Sequence, residues 1–234
     1  MWLVLFGALF QNAPQGLFGD QVSYGQFLGA GVIVFTAFGG ALNAGLPVMF
    51  DREFGFLNRL LVAPLASRFS IVAASAIFIT ALSLIQTAAI VAMSAALGAG
   101  LPNPLGLLLV VTIVLLLVVG VTALSLGLAF SLPGHIELIA VIFVTNLPLL
   151  FASTALVPLA FMPRWLQVIA TLNPLSYAIE PIRYVYLHSD WSLNSVVMQA
   201  PFGPVTLGMA LLVLLGFDLV VLLAIQPRLR RSLA

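Results

Sequence analysis

Seven acidic residues, eight arginines, two histidines and no cysteine or lysine make up the charged and metal-binding chemistry of 234 residues. Asp218 stands inside the apolar run 205–225, about ten residues or roughly 15 Å from Arg228. An ionised carboxylate at that depth costs at least about 2.5–3.5 kcal/mol on insertion. It is expected to face the bundle interior, a wet cavity or a partner subunit, or to be protonated. Glu180 and Arg183 are three apart, a helical pairing distance. They are read as an ion pair that makes an embedded helix tolerable, with a part in gating substrate exit as the alternative. Glu137, after Pro133-Gly134-His135, reads as a solvated acid at a helix start. Asn43, Gln86 and Asn146 fall within long apolar runs. Each is expected to bond between helices, worth about 1 kcal/mol, or else to line a cavity.

Several chemistries are excluded by what is missing. His135 and His188 are too few for a histidine metal centre, and zero cysteines remove thiolate sites and disulfides. No nucleophile with a base and no paired-carboxylate constellation stands out, so no catalytic residue, cofactor ligand or metal ligand is assigned. A nucleotide-binding P-loop needs a lysine, and the chain has none. If ATP drives this protein, another polypeptide binds the ATP and its magnesium. A net charge of +1 with scattered arginines offers no surface for tracking phosphates, so nucleic acid is not an expected partner.

The elements that must position these residues are set by composition. The chain is 62% hydrophobic and 6% charged, against about 25% charged residues in soluble domains. That is an all-α, polytopic membrane protein, because each span takes about 20 apolar residues and must satisfy its own backbone. The full spans are read at 25–50, 69–97, 105–132, 138–161 and 205–225, with 1–10 as part of a first span whose beginning lies outside this sequence. Arg52, Arg59 and Arg68 cluster in one connection, and Arg228, Arg230 and Arg231 at the C-terminus. The positive-inside rule puts both in the cytoplasm, and the even number of spans between them agrees. The small residues Gly40, Ala41, Ala44 and Gly45 allow helices to approach closely.

Two connections are not plain loops. Over 51–64 a helical projection gathers Phe54, Leu57, Leu60 and Leu61 on one face and Arg52, Asn58 and Arg59 on the other, until Pro64 stops the helix. Such a helix either lies on lipid headgroups or docks into a cytoplasmic partner. From Met162 to about Pro204, a short helix starting at Pro163 ends at Asn173-Pro174. A second, 175–187, is interrupted at Pro181. Both are too short to span and too apolar for an ordinary loop, which suits a pair of helices dipping back into the outer leaflet. Trp165, Tyr177, Tyr184, Tyr186 and Trp191 suit the interface.

Two stretches carry a resemblance. Asp51-Arg-Glu-Phe-Gly-Phe-Leu-Asn-Arg-Leu-Leu-Val-Ala-Pro-Leu-Ala-Ser-Arg68 resembles the first cytoplasmic loop of ABC-2 type exporter permeases. Leu156 to Arg183, with its Asn173-Pro-Leu-Ser-Tyr177 turn followed by Glu180-x-x-Arg183, resembles the second signature of that family. The resemblance implies a six-span bundle, with the first span truncated here. It also implies a dimer of permeases served by separate ATP-binding-cassette subunits and outward movement of a hydrophobic drug, lipid or glycan. By it, Asp51, Arg52, Glu53, Phe54, Leu57, Arg59, Leu61, Pro64 and Arg68 belong to a coupling helix seated on the ATPase. Pro163, Trp165, Asn173, Pro174, Tyr177, Glu180 and Arg183 belong to the external re-entrant pair. The expected setting is a bacterial plasma membrane, with membrane lipid as a further partner. Rival readings are a glycan exporter, a proton-coupled secondary transporter using Asp218, and a structural assembly factor.

Overall fold

The computed structural model describes residues 24–57, 59, 69–96 and 101–233. The expected partial span 1–10 and the positions of Leu61, Pro64 and Arg68 lie outside the described residues. The helices are α1 (Tyr24–Leu42), α2 (Gly45–Glu53), α3 (Phe69–Ala96), α4 (Pro104–Ser131), α5 (His135–Phe151), α6 (Arg164–Leu172), α7 (Pro174–Leu187) and α8 (Leu207–Leu233). A 3-10 turn, Leu159–Phe161, precedes α6, and a hairpin of β1 (Val196–Ala200) and β2 (Gly203–Thr206) leads into α8. Among the described residues four stretches are long and apolar enough to cross a membrane: Phe27–Glu53, Ala73–Met93, Pro104–Ser131 and Leu207–Pro227.

Helix α4 is the axis of the bundle. Its residues are almost uniformly apolar, so it has no polar face to turn outward, and α1, α3, α7 and α8 pack around it. Ile113, Val114, Leu117 and Val118 are fully buried along it. Gly120 is where α8 comes closest, since a methyl group there would collide with Asp218 Oδ1 and stand 2.8 Å from the Phe217 ring. Small residues bring membrane helices together because apolar surface alone gives them no preference for one another over lipid. The outward faces of α3, α5 and α8 carry bare apolar side chains, such as Phe78, Val144 and Leu212, as lipid contact requires.

The structure redraws several expected boundaries. The stretch 25–50 is not one helix: α1 stops at Leu42, Asn43 and Ala44 form a turn, and α2 begins at Gly45. Asp51, Arg52 and Glu53 are the last turn of α2, and Gly55 at φ 76° reverses the chain after it. The stretch 138–161 holds most of the 17-residue α5, which begins at His135, then an irregular segment after Phe151 and the 3-10 turn. At about 1.5 Å per residue α5 rises roughly 25 Å, short of the ~30 Å hydrocarbon core. Helix α7 runs unbroken through Pro181, whose missing N–H costs one bond but does not end the helix.

The segment between α7 and α8 also holds a hairpin, which the expected pair of short helices does not include. Val196 pairs with Thr206, Met198 with Val205 and Ala200 with Gly203, with a register shift between Val196 and Met198. Gly203 at φ 133° closes its turn. The Val-Val pair and the Pro201-Phe-Gly203 turn were the available signal.

The break between α1 and α2 leaves polar backbone groups inside the bundle, and one side chain of α4 answers them. The fully buried Ser125 hydroxyl donates to the Leu42 carbonyl at 2.5 Å and accepts from the Gly45 N–H at 2.9 Å. Gly45 is glycine because its helix start lies directly on the α4 backbone, where a methyl group would collide with the Ser125 carbonyl. Ser125→Ala is expected to strand both backbone groups and cost about 1–3 kcal/mol, read as a lower unfolding temperature in detergent. Thr112→Ala, which removes a hydroxyl bonded to its own helix at an exposed position, should leave that temperature unchanged.

Candidate functional site

The residues singled out in the sequence fall at three levels of the bundle. At one end, α2 meets the corner between α4 and α5. The last turn of α4 has carbonyls with no helical partner, and a helix C-terminus favours a cation. Arg52 supplies it: Nη1 donates to the Ala129 carbonyl at 2.7 Å, and Nη2 to those of Leu132 and Pro133 at 2.5 and 2.9 Å. Helix α5 begins with the opposite need. Its N-cap, Gly134, has no side chain to cap with. Glu53 caps it from α2, accepting from the His135 N–H at 2.6 Å through Oε1 while Oε2 pairs with the His135 ring. Phe50 packs on that ring at 5.1 Å.

Adjacent charges of opposite sign on α2 therefore close the end of one helix and the start of the next. Phe54 and Phe56 are exposed beyond this clamp, whereas Leu57 is buried and Arg59 is exposed. The expected shared face of Phe54 and Leu57 is thus divided, because Gly55 turns the chain between them. Glu137 sits exposed in the first turn of α5, as expected of a helix-start acid.

At the other end, Asn173 and Arg183 hold the short helices. Asn173 Oδ1 accepts from the Leu175 N–H at 3.0 Å and caps α7, while its Nδ2 donates to the Leu149 and Ala152 carbonyls, both at 2.7 Å. One carboxamide thus starts α7 and finishes α5. Pro174 follows at the first helical position, where a missing N–H costs nothing. Pro163 is the N-cap of α6, its carbonyl accepting from the N–H groups of Leu166 and Gln167. Trp165, Val168, Ile169 and Leu172 form an exposed apolar stripe on α6 at helical spacing, the pattern of a helix lying at a membrane surface. Tyr177 is buried rather than interfacial, and Tyr184 stacks on His188 at 4.1 Å.

Arg183 is the most constrained charge in the described structure. It is 6% exposed and donates to Glu180 at 2.5 Å, to the Thr154 carbonyl at 2.6 Å and to the Phe27 carbonyl at 3.3 Å. Its guanidinium carbon lies 3.6 Å from the centre of the Phe27 ring. The expected Glu180–Arg183 pair is present. Burial pulls the guanidinium pKa down and the Glu180 carboxylate opposes that shift. Burial also pushes the Tyr186 hydroxyl up to about 12.

Between the two ends lie the intramembrane polar groups. Asn43 is exposed in the turn and donates back to the Gly39 carbonyl of α1 at 2.7 Å, so it does not join two helices. Gln86 Oε1, Asn146 Oδ1 and Asp218 Oδ1 are buried and find no hydrogen-bond partner among the described residues. Asp218 faces α4, as an intramembrane carboxylate should. Among the described residues no three acidic, histidine or cysteine side chains gather as a metal site would require.

The described residues of the two signatures thus lie where the membrane helices begin, end and turn. The chain matches the ABC-2 type transporter family over residues 1–187. It belongs to that family. Over 220 residues it is 58% identical to a protein of Porphyra purpurea named "Putative transport permease ycf38", covering 94% of this chain and 76% of the relative. Proteins of the same name from Pyropia yezoensis and Cyanophora paradoxa are 53% and 54% identical, with 94% of this chain and 75% and 76% of those chains covered. The chain is accordingly a multi-pass transport permease, a membrane component whose family works with an ATPase partner.

Asn173→Asp separates the two duties of this side chain. It keeps the acceptor that caps α7 and loses both donors to the end of α5. It is expected to destabilise the protein by about 1–3 kcal/mol, measured as a lower midpoint in thermal unfolding of the detergent-solubilised protein.

Proposed function

We propose that this ABC-2 permease is the transmembrane subunit of an ATP-driven exporter that moves a hydrophobic drug or lipid-like molecule outward. A second permease completes the pathway, and a separate ATP-binding-cassette subunit binds and hydrolyses ATP. The proposed setting is a bacterial-type plasma membrane with the arginine-rich C-terminus in the cytoplasm, following the positive-inside rule. A drug or lipid is preferred to a glycan because charged and aromatic groups are sparse within the bundle.

The observation that carries the reading is the clamp made by Arg52 and Glu53. The segment that follows them exposes Phe54 and Phe56, two apolar side chains suited to the surface of a cytoplasmic partner. Any displacement of that segment pulls on the end of α2. Three hydrogen bonds donated by Arg52, together with the His135 N–H and ring held by Glu53, tie α2 to the α4–α5 corner. The corner therefore follows α2, and motion of an ATPase reaches the central helix as a rigid-body shift. The buried Gln86, Asn146 and Asp218 oxygens are suited to meet water or the second permease when the pathway opens.

Two outcomes test this. Co-expressed with a candidate ATP-binding-cassette protein, the chain is expected to co-purify in mild detergent. Phe54→Asp with Phe56→Asp should abolish that association while leaving the permease folded. Failure of the wild type to associate with any cassette protein tried would overturn the exporter reading. Arg52→Gln should keep the association and ATP hydrolysis. It should lose the ATP-dependent change in hydrogen exchange at 129–136, because the corner no longer follows α2.

A further inference from the structure

A cavity of about 440 Å³ opens between α7, the β1 strand and the 158–160 turn, at the end of the bundle where α8 begins. That volume lies within the ~300–1,000 Å³ of small-molecule sites, which are mostly apolar with a few convergent polar groups. Leu187 and Met198 supply apolar wall, and the polar groups are Glu180, Arg183, Gln167 and Gln199. The Arg183 guanidinium points its bonds inward to Glu180, Thr154 and Phe27. Glu180 spends one carboxylate oxygen on Arg183, and its other oxygen has no partner among the described residues. Gln167 donates to the Met162 carbonyl at 2.8 Å, leaving its amide oxygen, and Gln199 is exposed at the rim.

The charge balance selects the ligand. Glu180 and Arg183 already neutralise one another at 2.5 Å. A further buried charge of either sign would sit there without a counter-charge, at a large desolvation cost. What the cavity lacks is a donor for the open Glu180 oxygen and partners for two carboxamides. An uncharged group bearing several hydroxyls supplies these, and the apolar wall accepts the hydrocarbon attached to it. We infer that this cavity binds the uncharged, hydroxylated headgroup of an amphiphile, such as a glycosyl headgroup with the first carbons of its chain. The inference stands apart from the exporter reading, since it needs no ATPase and no transport.

The test uses the full chain in phosphatidylcholine nanodiscs, with octyl β-D-glucoside carrying a diazirine in its chain as photoprobe. Labelled residues are mapped by mass spectrometry. Labelling is expected to concentrate at Leu187 and residues 197–199, and to be competed by octyl β-D-glucoside but not by octyl sulfate or free glucose. Ala160→Trp fills the mouth of the cavity from an exposed position and should abolish labelling there while the unfolding temperature holds. Glu180→Gln should reduce it by about tenfold or more, as loss of a charged acceptor predicts. Labelling spread evenly over the lipid-facing helices, or retained in Ala160→Trp, would overturn the site. Equal competition by octyl sulfate would overturn its preference for an uncharged headgroup, and competition by glucose alone would overturn the amphiphile.

Discussion

A backbone polar group inside a membrane must find its partner within the protein, and four helix breaks among the described residues are organised by that demand. The turn at Asn43–Ala44 is answered by the hydroxyl of Ser125. The corner at 132–134 is answered by Arg52 and Glu53. The end of α5 is answered by Asn173, and the irregular stretch after it by Arg183 through the Thr154 carbonyl. Each answer comes from a different element than the break it serves. The breaks are therefore joints held by long-range contacts, and two of the four refer to the unbroken α4.

This arrangement reconciles two needs of a transport permease. Rigid apolar packing keeps helices upright in lipid, but packing alone gives no direction along which they should move together. Hydrogen-bonded joints do, because a polar side chain leaving its carbonyl inside a membrane has nothing to replace it. Arg52 and Glu53 make α2, α4 and α5 respond as one body. Arg183 does the same for α1 and α7 at the opposite end.

Much of this was legible in the sequence, and the remainder was hidden for definite reasons. Hydropathy found the long helices because lipid imposes one length and one composition on them. Spacing found the Glu180–Arg183 pair, since three residues on a helix settle the matter locally. The resemblance of two loops found the family. The break at Asn43 stayed hidden because the residues on both sides are as apolar as a helix interior, and its cause is a serine more than eighty positions away. The end of α5 at Phe151 was missed for a similar reason: hydropathy runs on through Ser153 to Leu159 although the helix does not. Asp51, Arg52 and Glu53 looked like the start of a surface helix by charge. Arg52 and Glu53 instead hold backbone carbonyls and an N–H of the α4–α5 corner, which no pattern of side chains reveals.

The bond from Arg183 to the Phe27 carbonyl spans 156 residues of chain, and that distance has a meaning for synthesis. A chain inserted from its N-terminus places α1 in the lipid long before the arginine that fixes it has been made. Until then the bilayer, apolar contact and the Ser125 bond at its far end hold α1, and its Phe27 end has no such bond from α7. Arrival of Arg183 ties α1 to α7, and α8, made later still, completes the packing around α4. An early helix therefore owes its final orientation to a late one, and a membrane insertion machinery that released α1 irrevocably before residue 183 emerged would deliver a bundle still lacking its last lock.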